Sequence, residues 1–135
     1  MIIKKIKLEN YTVFEDQQIE FGPGINVIIG ENGTGKTHIL KVLYSACQSV
    51  DQKTSFAHKL VSTMLPDDYK ISRLITRKQG NRSAVIRIVA GDPDVSQERI
   101  LTASFHGNTK KWDADVTGES GWEESYAGLS SIFIP

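Results

Sequence analysis

Gly30-Glu31-Asn32-Gly33-Thr34-Gly35-Lys36-Thr37 matches G-x-x-x-x-G-K-S/T, and both of its flanks match too. Before it, Ile25 to Ile29 is almost continuously apolar, as a central parallel strand buried on both faces would be. After it, Ile39, Leu40, Val42, Leu43, Ala46, Cys47 and Val50 recur at helical spacing. The expected unit is strand, glycine-rich loop, helix.

Each residue type in the loop has a physical use. Glycines at 30, 33 and 35 permit backbone conformations closed to residues with a Cβ, so that successive N–H groups converge on one anion. Those groups are also the unpaired donors of a helix start, where the helix dipole favours negative charge. In a nucleotide triphosphatase loop of this pattern Lys36 reaches the β- and γ-phosphates and the Thr37 hydroxyl ligates Mg²⁺. A plain glycine turn capping a helix would explain neither residue.

Upstream, Ile6 and Leu8 alternate with Lys5, Lys7 and Glu9, and Ile19 and Phe21 alternate with Gln18 and Glu20, which predicts a strand hairpin. The turn Gly22-Pro23-Gly24 delivers the chain to the loop strand. Downstream, Phe56 to Leu65 has helical spacing and stops at Pro66. Strands are expected at Ser83–Ala90, Glu98–Phe105 and Lys111–Thr117, joined as an antiparallel meander, with Trp112 and Trp122 packed in it. Ser131 to Pro135 reads as a short terminal strand near the core of a sheet that further chain completes. The expected organisation is a single lobe over 1–135: strand pair, loop and helix in 1–50, a helical segment in 51–82, and the meander with the terminal strand in 83–135.

Composition excludes several classes. The 135 residues carry sixteen basic and sixteen acidic side chains, and 39% are apolar. No apolar run approaches the roughly 18 residues that span a bilayer, and the lysine-rich opening reads as a strand rather than an export signal. One cysteine, Cys47, permits no internal disulfide, so a reducing cytoplasm is the expected setting. Residues 1–90 hold thirteen Lys/Arg against eight Asp/Glu, and residues 91–135 hold three against eight. A neutral total argues against purely electrostatic nucleic-acid binding.

Ile6-Lys7-Leu8-Glu9-Asn10-Tyr11 and the run Phe21 to Thr37 give the chain a narrower likeness. It resembles the ATP-binding heads of the ABC superfamily, in particular the SMC, RecF and OLD-type branch. That resemblance implies an α/β P-loop lobe with a mostly parallel core and an antiparallel β subsheet, forming part of a head. It also implies Mg-ATP as ligand, the loop residues Gly30, Glu31, Asn32, Gly33, Thr34, Gly35, Lys36 and Thr37 around the phosphates, and Asn10, Tyr11 and Thr12 near adenine and ribose. Relatives often carry Arg where Thr12 stands, and Tyr11 reads equally as core packing. A homodimer of full heads is implied, with DNA or a nuclease domain as possible associates and no membrane.

Two parts of such a head are missing from the sequence. Hydrolysis needs an apolar strand ending in Asp-Glu, and no such run occurs. The trans-acting signature segment is absent as well, since Gly128-Leu129-Ser130-Ser131 leads into an expected strand rather than a helix. His38, one residue past the loop, either approaches a phosphate or occupies an exposed helix position. His58 and His106 lack the spaced partners of a metal site. Lys70, Arg73, Arg77, Lys78, Arg82 and Arg87 form a basic stretch that is either solvated surface or a nucleic-acid contact. Two other functions remain open. One is a stand-alone nucleotide-binding module without turnover; the other is a small P-loop kinase or GTPase, the latter lacking its Asn-Lys-x-Asp guanine reader.

Overall fold

A computed structural model describes residues 2–51, 53–78, 80, 82–92, 97–126 and 131–134, with the backbone alone at Asp51 and Tyr126. The expected hairpin is present as β1 (Ile2–Tyr11) and β2 (Phe14–Glu20), paired Ile6 to Ile19. The other edge of β1 pairs with β3 (Ser83–Gly91), setting Leu8 opposite Ile86 and Ile6 opposite Ile88. β4 (Glu98–His106) and β5 (Asp115–Thr117) extend the sheet to the order β2-β1-β3-β4-β5.

Period-two alternation decides which face is covered. Ile6, Leu8, Ile86, Ile88, Leu101, Ala103 and Phe105 are buried in one cluster with Ile39, Val42 and Ala46 of α1 (Lys36–Asp51) and Phe56, Leu60 and Val61 of α2 (Phe56–Met64). Each large apolar side chain taken fully out of water contributes about 1.5–3 kcal/mol before entropy is charged. α2 starts where the Ser55 side chain accepts from the His58 N–H at 3.2 Å, and it ends at Leu65 in the left-handed region, φ 51°. Pro66 has no N–H with which to continue it.

The sequence reading missed a third helix, α3 (Glu119–Tyr126). Its entry depends on Gly118 at φ 86°, where an added Cβ would lie 1.9 Å from the Ile100 carbonyl oxygen of β4. Its anchor is Trp122, which is buried but sits in this helix rather than in the expected meander, and whose indole Nε1 donates to the Ala46 carbonyl in α1 at 3.0 Å.

Three expectations are corrected. The segment Ile25–Ile29 pairs with no strand among the described residues: Ile25, Val27 and Ile29 are 95%, 77% and 88% exposed. Apolarity on both faces reports what the segment needs as neighbours, and all four strand pairs that form lie elsewhere and are antiparallel, so no parallel core is present among the described residues. Asn26 instead ties the preceding turn, accepting from the Gly22 N–H at 2.8 Å and donating to the Gly22 and Gly24 carbonyls. The strand expected over Lys111–Thr117 keeps only its last three residues, because Asp113 and Ala114 turn back onto Lys110 and Trp112 through backbone bonds of 2.9 and 2.8 Å.

The terminal strand expected from Ser131 does not form over residues 131–134, and Ile132 and Ile134 stand 82% and 79% exposed. Gln48 donates to the Ser131 carbonyl at 3.0 Å, and the Phe133 ring lies 5.9 Å from that of Tyr44. Pro135 and most of the rejected Gly128–Ser131 segment lie outside the described residues.

Candidate phosphate-binding site

α1 begins at Lys36, inside the motif, so the loop's glycines lie directly before the free N–H groups of a helix. No acidic residue occupies its first turn, which leaves the positive end of the helix dipole uncompensated. Gly33 and Gly35 adopt φ 83° and 93°, the left-handed region closed to most residues with a Cβ, whereas Gly30, expected to share that freedom, does not lie there. Gly35 is also sterically fixed: a Cβ would sit 2.5 Å from Phe14 Cζ and 2.6 Å from Val13 Cγ2.

The loop braces itself through its side chains. Thr34 Oγ1 donates to the Glu31 carbonyl at 2.7 Å, and the Lys36 ammonium donates to the carbonyls of Gly30 and Glu31. Asn32, Gly33, Gly35, Lys36, Thr37 and His38 line a cavity of about 210 Å³. A glycine cradle, a helix N-terminus and an ammonium that donates to neutral carbonyl oxygens suit a polyphosphate. The exposed Thr37 hydroxyl next to Lys36 suits a Mg²⁺ ligand.

The base-side residues separate in the structure. Thr12 meets the site: its Oγ1 lies 3.0 Å from His38 Nδ1. Burial, and then the Lys41 charge, push the His38 pKa down, which favours the neutral ring. Asn10 is engaged at the start of β3, donating to the Ser83 carbonyl at 3.1 Å and accepting from Arg82 at 3.3 Å. Tyr11 is fully buried in the core, where desolvation drives its pKa upward and its hydroxyl has no hydrogen-bond partner among the described residues. Of the two readings of Tyr11, core packing is the one its burial supports, which removes it from direct nucleotide contact. Sequence reasoning missed the Thr12–His38 bond, since no local signal joins residues 26 positions apart.

The basic stretch folds around a second feature. Lys70, Arg73, Lys78 and Arg82 line a cleft of about 750 Å³ together with Lys110 and Lys111 from the β4–β5 connection, and no carboxylate is among the described lining residues. Asp68 lies 3.8 Å from Arg73, and Glu15 pairs with Lys78. Arg77 and Arg87 are exposed and do not line the cleft. His58 stacks on Trp112 with centroids 4.2 Å apart, and His106 accepts from the Asn108 N–H at 3.1 Å.

An antiparallel sheet covered by helices, with a glycine-rich loop leading into α1, defines a mixed α/β lobe. The chain belongs to the AAA domain family, whose model matches residues 5–130. It is 33% identical over 88 residues to the DNA replication and repair protein RecF of Streptococcus agalactiae serotype Ia, covering 65% of this chain and 24% of that protein. RecF of Bacillus cytotoxicus is 33% identical over 89 residues, 65% of this chain and 23% of its own length. The chain thus spans about a quarter of the RecF relatives it matches.

Two solved structures share the fold. One, from work on "ATP-driven dimerization and DNA stimulated activation of SMC ATPases", superposes with a TM-score of 0.65 at 19% identity, covering 95% of this chain and 80% of that one. The other, "the recombination mediator protein RecF-ATP", gives 0.55 at 22%, covering 86% and 26%. The mixed α/β fold with an antiparallel sheet is that of SMC/RecF ATPase heads.

Proposed function

We propose that the chain binds Mg-ATP through Gly30–Thr37 and is part of an ATPase head that switches with nucleotide by dimerising. The carrying observation is the loop itself: glycines at positive φ and an uncompensated helix N-terminus aimed into one cavity beside Lys36 and Thr37. The loop N–H groups and Lys36 hold the phosphates, Thr37 supplies a hydroxyl to Mg²⁺, and bound Mg²⁺ neutralises phosphate charge. Glu31, Asn32 and Thr34 shape the loop, Thr34 by its bond to the Glu31 carbonyl. With no Asp-Glu strand end in the sequence, this chain alone binds without appreciable turnover.

The proposed setting is the cytoplasm. Among the described residues no helix is long and apolar enough to cross a membrane. Calorimetric titration should show Mg-ATP binding with negligible phosphate release by the same sample. Absence of measurable ATP binding would remove this reading, and robust release would show an unrecognised base.

A nucleic-acid contact is a second reading, favoured by the basic cleft and by the naming of the RecF relatives for DNA replication and repair. Six cations line this cleft, two of them, Arg73 and Lys78, paired with Asp68 and Glu15 outside the lining, and the other four suit a phosphodiester backbone. Binding of a duplex oligonucleotide, followed by anisotropy, should weaken with salt at a log–log slope of about −3 or steeper. The combined change Lys70→Glu and Lys110→Glu should abolish it at moderate salt. Unchanged affinity in that variant would exclude the cleft.

A further inference from the structure

If Thr12 served the nucleotide directly, its hydroxyl would be open to a ligand. Instead Oγ1 lies 3.0 Å from His38 Nδ1, and the Thr12 N–H donates to the Leu74 carbonyl at 2.7 Å. The residue sits at φ 48°, a conformation that β-branched side chains rarely adopt, so these bonds hold it against a backbone preference. Its neighbours Val13 and Phe14 press on Gly35 closely enough to exclude a Cβ. The hairpin turn therefore touches the loop region at two points, Gly35 by packing and His38 by a hydrogen bond, with Lys36 and Thr37 between them. His38 in turn lines the same cavity as those two residues.

We propose that Thr12 and His38 form a positioning pair: the turn of the first hairpin clamps the first turn of α1, and Thr12 acts on the nucleotide through His38 rather than by touching it. The role rests on the ATP-binding reading above and deepens it. A loop held in its binding geometry beforehand pays less ordering cost when the phosphates arrive. Phe14 and Val13 position Gly35, and the histidine positions the helix start, so the N–H groups from Gly33 to Thr37 share one fixed frame.

A double-mutant cycle tests this, using Thr12→Val and His38→Ala with Mg-ATP and adenosine affinities measured for each variant. Each single change should weaken Mg-ATP by about fivefold, the scale of one lost hydrogen bond. The double variant should fall no further, and adenosine affinity should stay put. Thr12→Ser and His38→Asn, which can keep the hydrogen bond, should recover most of the loss. Hydrogen exchange at the Gly33–Thr37 amides, measured without nucleotide, should quicken equally in both singles and the double.

Additive losses, or a parallel fall in adenosine affinity on Thr12→Val, would overturn the pair and restore a direct contact. Unchanged amide protection would overturn it too. A wild-type chain that binds no ATP would instead fail the underlying reading, a result visible before any variant is made.

Discussion

Lys36→Ala should weaken Mg-ATP binding by roughly tenfold to a hundredfold and leave adenosine binding where it was. The range is that of a charge-assisted hydrogen bond lost without replacement. In the structure the ammonium is already within the loop, bonded to the carbonyls of Gly30 and Glu31. It needs only to exchange neutral acceptors for anionic ones when a triphosphate enters, a short move that favours the bound state electrostatically. The same carbonyls can turn to solvent when the side chain is removed, because Gly30 and Glu31 are exposed. The variant should therefore stay folded, and a loss of affinity can be read as a loss of contact. Equal calorimetric ATP affinities for wild type and variant would contradict both the role of Lys36 and the phosphate assignment of the cavity.

What the sequence made legible was whatever is periodic or locally constrained. The alternation of Ile6 and Leu8 locates β1, the apolar recurrence from Ile39 locates α1, and of the loop glycines at 30, 33 and 35 expected to need their conformational freedom, Gly33 and Gly35 stand at positive φ. Contacts set by the fold were not legible. Among its described side chains α3 has one large anchor, Trp122, so it shows no periodicity to read, and its start depends on a glycine fitted against the Ile100 carbonyl of β4. The apolar pattern of Ile25–Ile29 is compatible with a buried strand, but burial also needs neighbours, and pattern alone does not supply them. At the site, the loop was readable as a motif. The turn that braces it was not, because Thr12 meets His38 only after β1 and β2 have folded back beside α1.

Trp122→Ala should cost about 3–5 kcal/mol, the usual range for truncating a buried aromatic ring. Against a total stability of about 5–15 kcal/mol that is enough to leave a substantial unfolded population in a protein of ordinary stability. The ring is 1% exposed and its Nε1 donates to Ala46, so it joins α3 to the helix that starts at the phosphate loop. An eight-residue helix is too short to hold itself in water, and its other described polar ties are the 3.1 Å bond from Arg99 Nε to Ser125 Oγ and the Glu119 carboxylate accepting from the Phe56 backbone. Loss of the ring should therefore release α3 before the sheet melts. Trp122→Phe should fall between wild type and the alanine variant. It keeps most of the apolar contact, and the Ala46 carbonyl still accepts from the Ser49 hydroxyl at 2.9 Å, so no buried acceptor is stranded. Urea unfolding of the three proteins checks the order. An alanine variant less than about 1 kcal/mol below wild type would mean that the polar ties at Ser125 and Glu119, rather than the indole, dock α3.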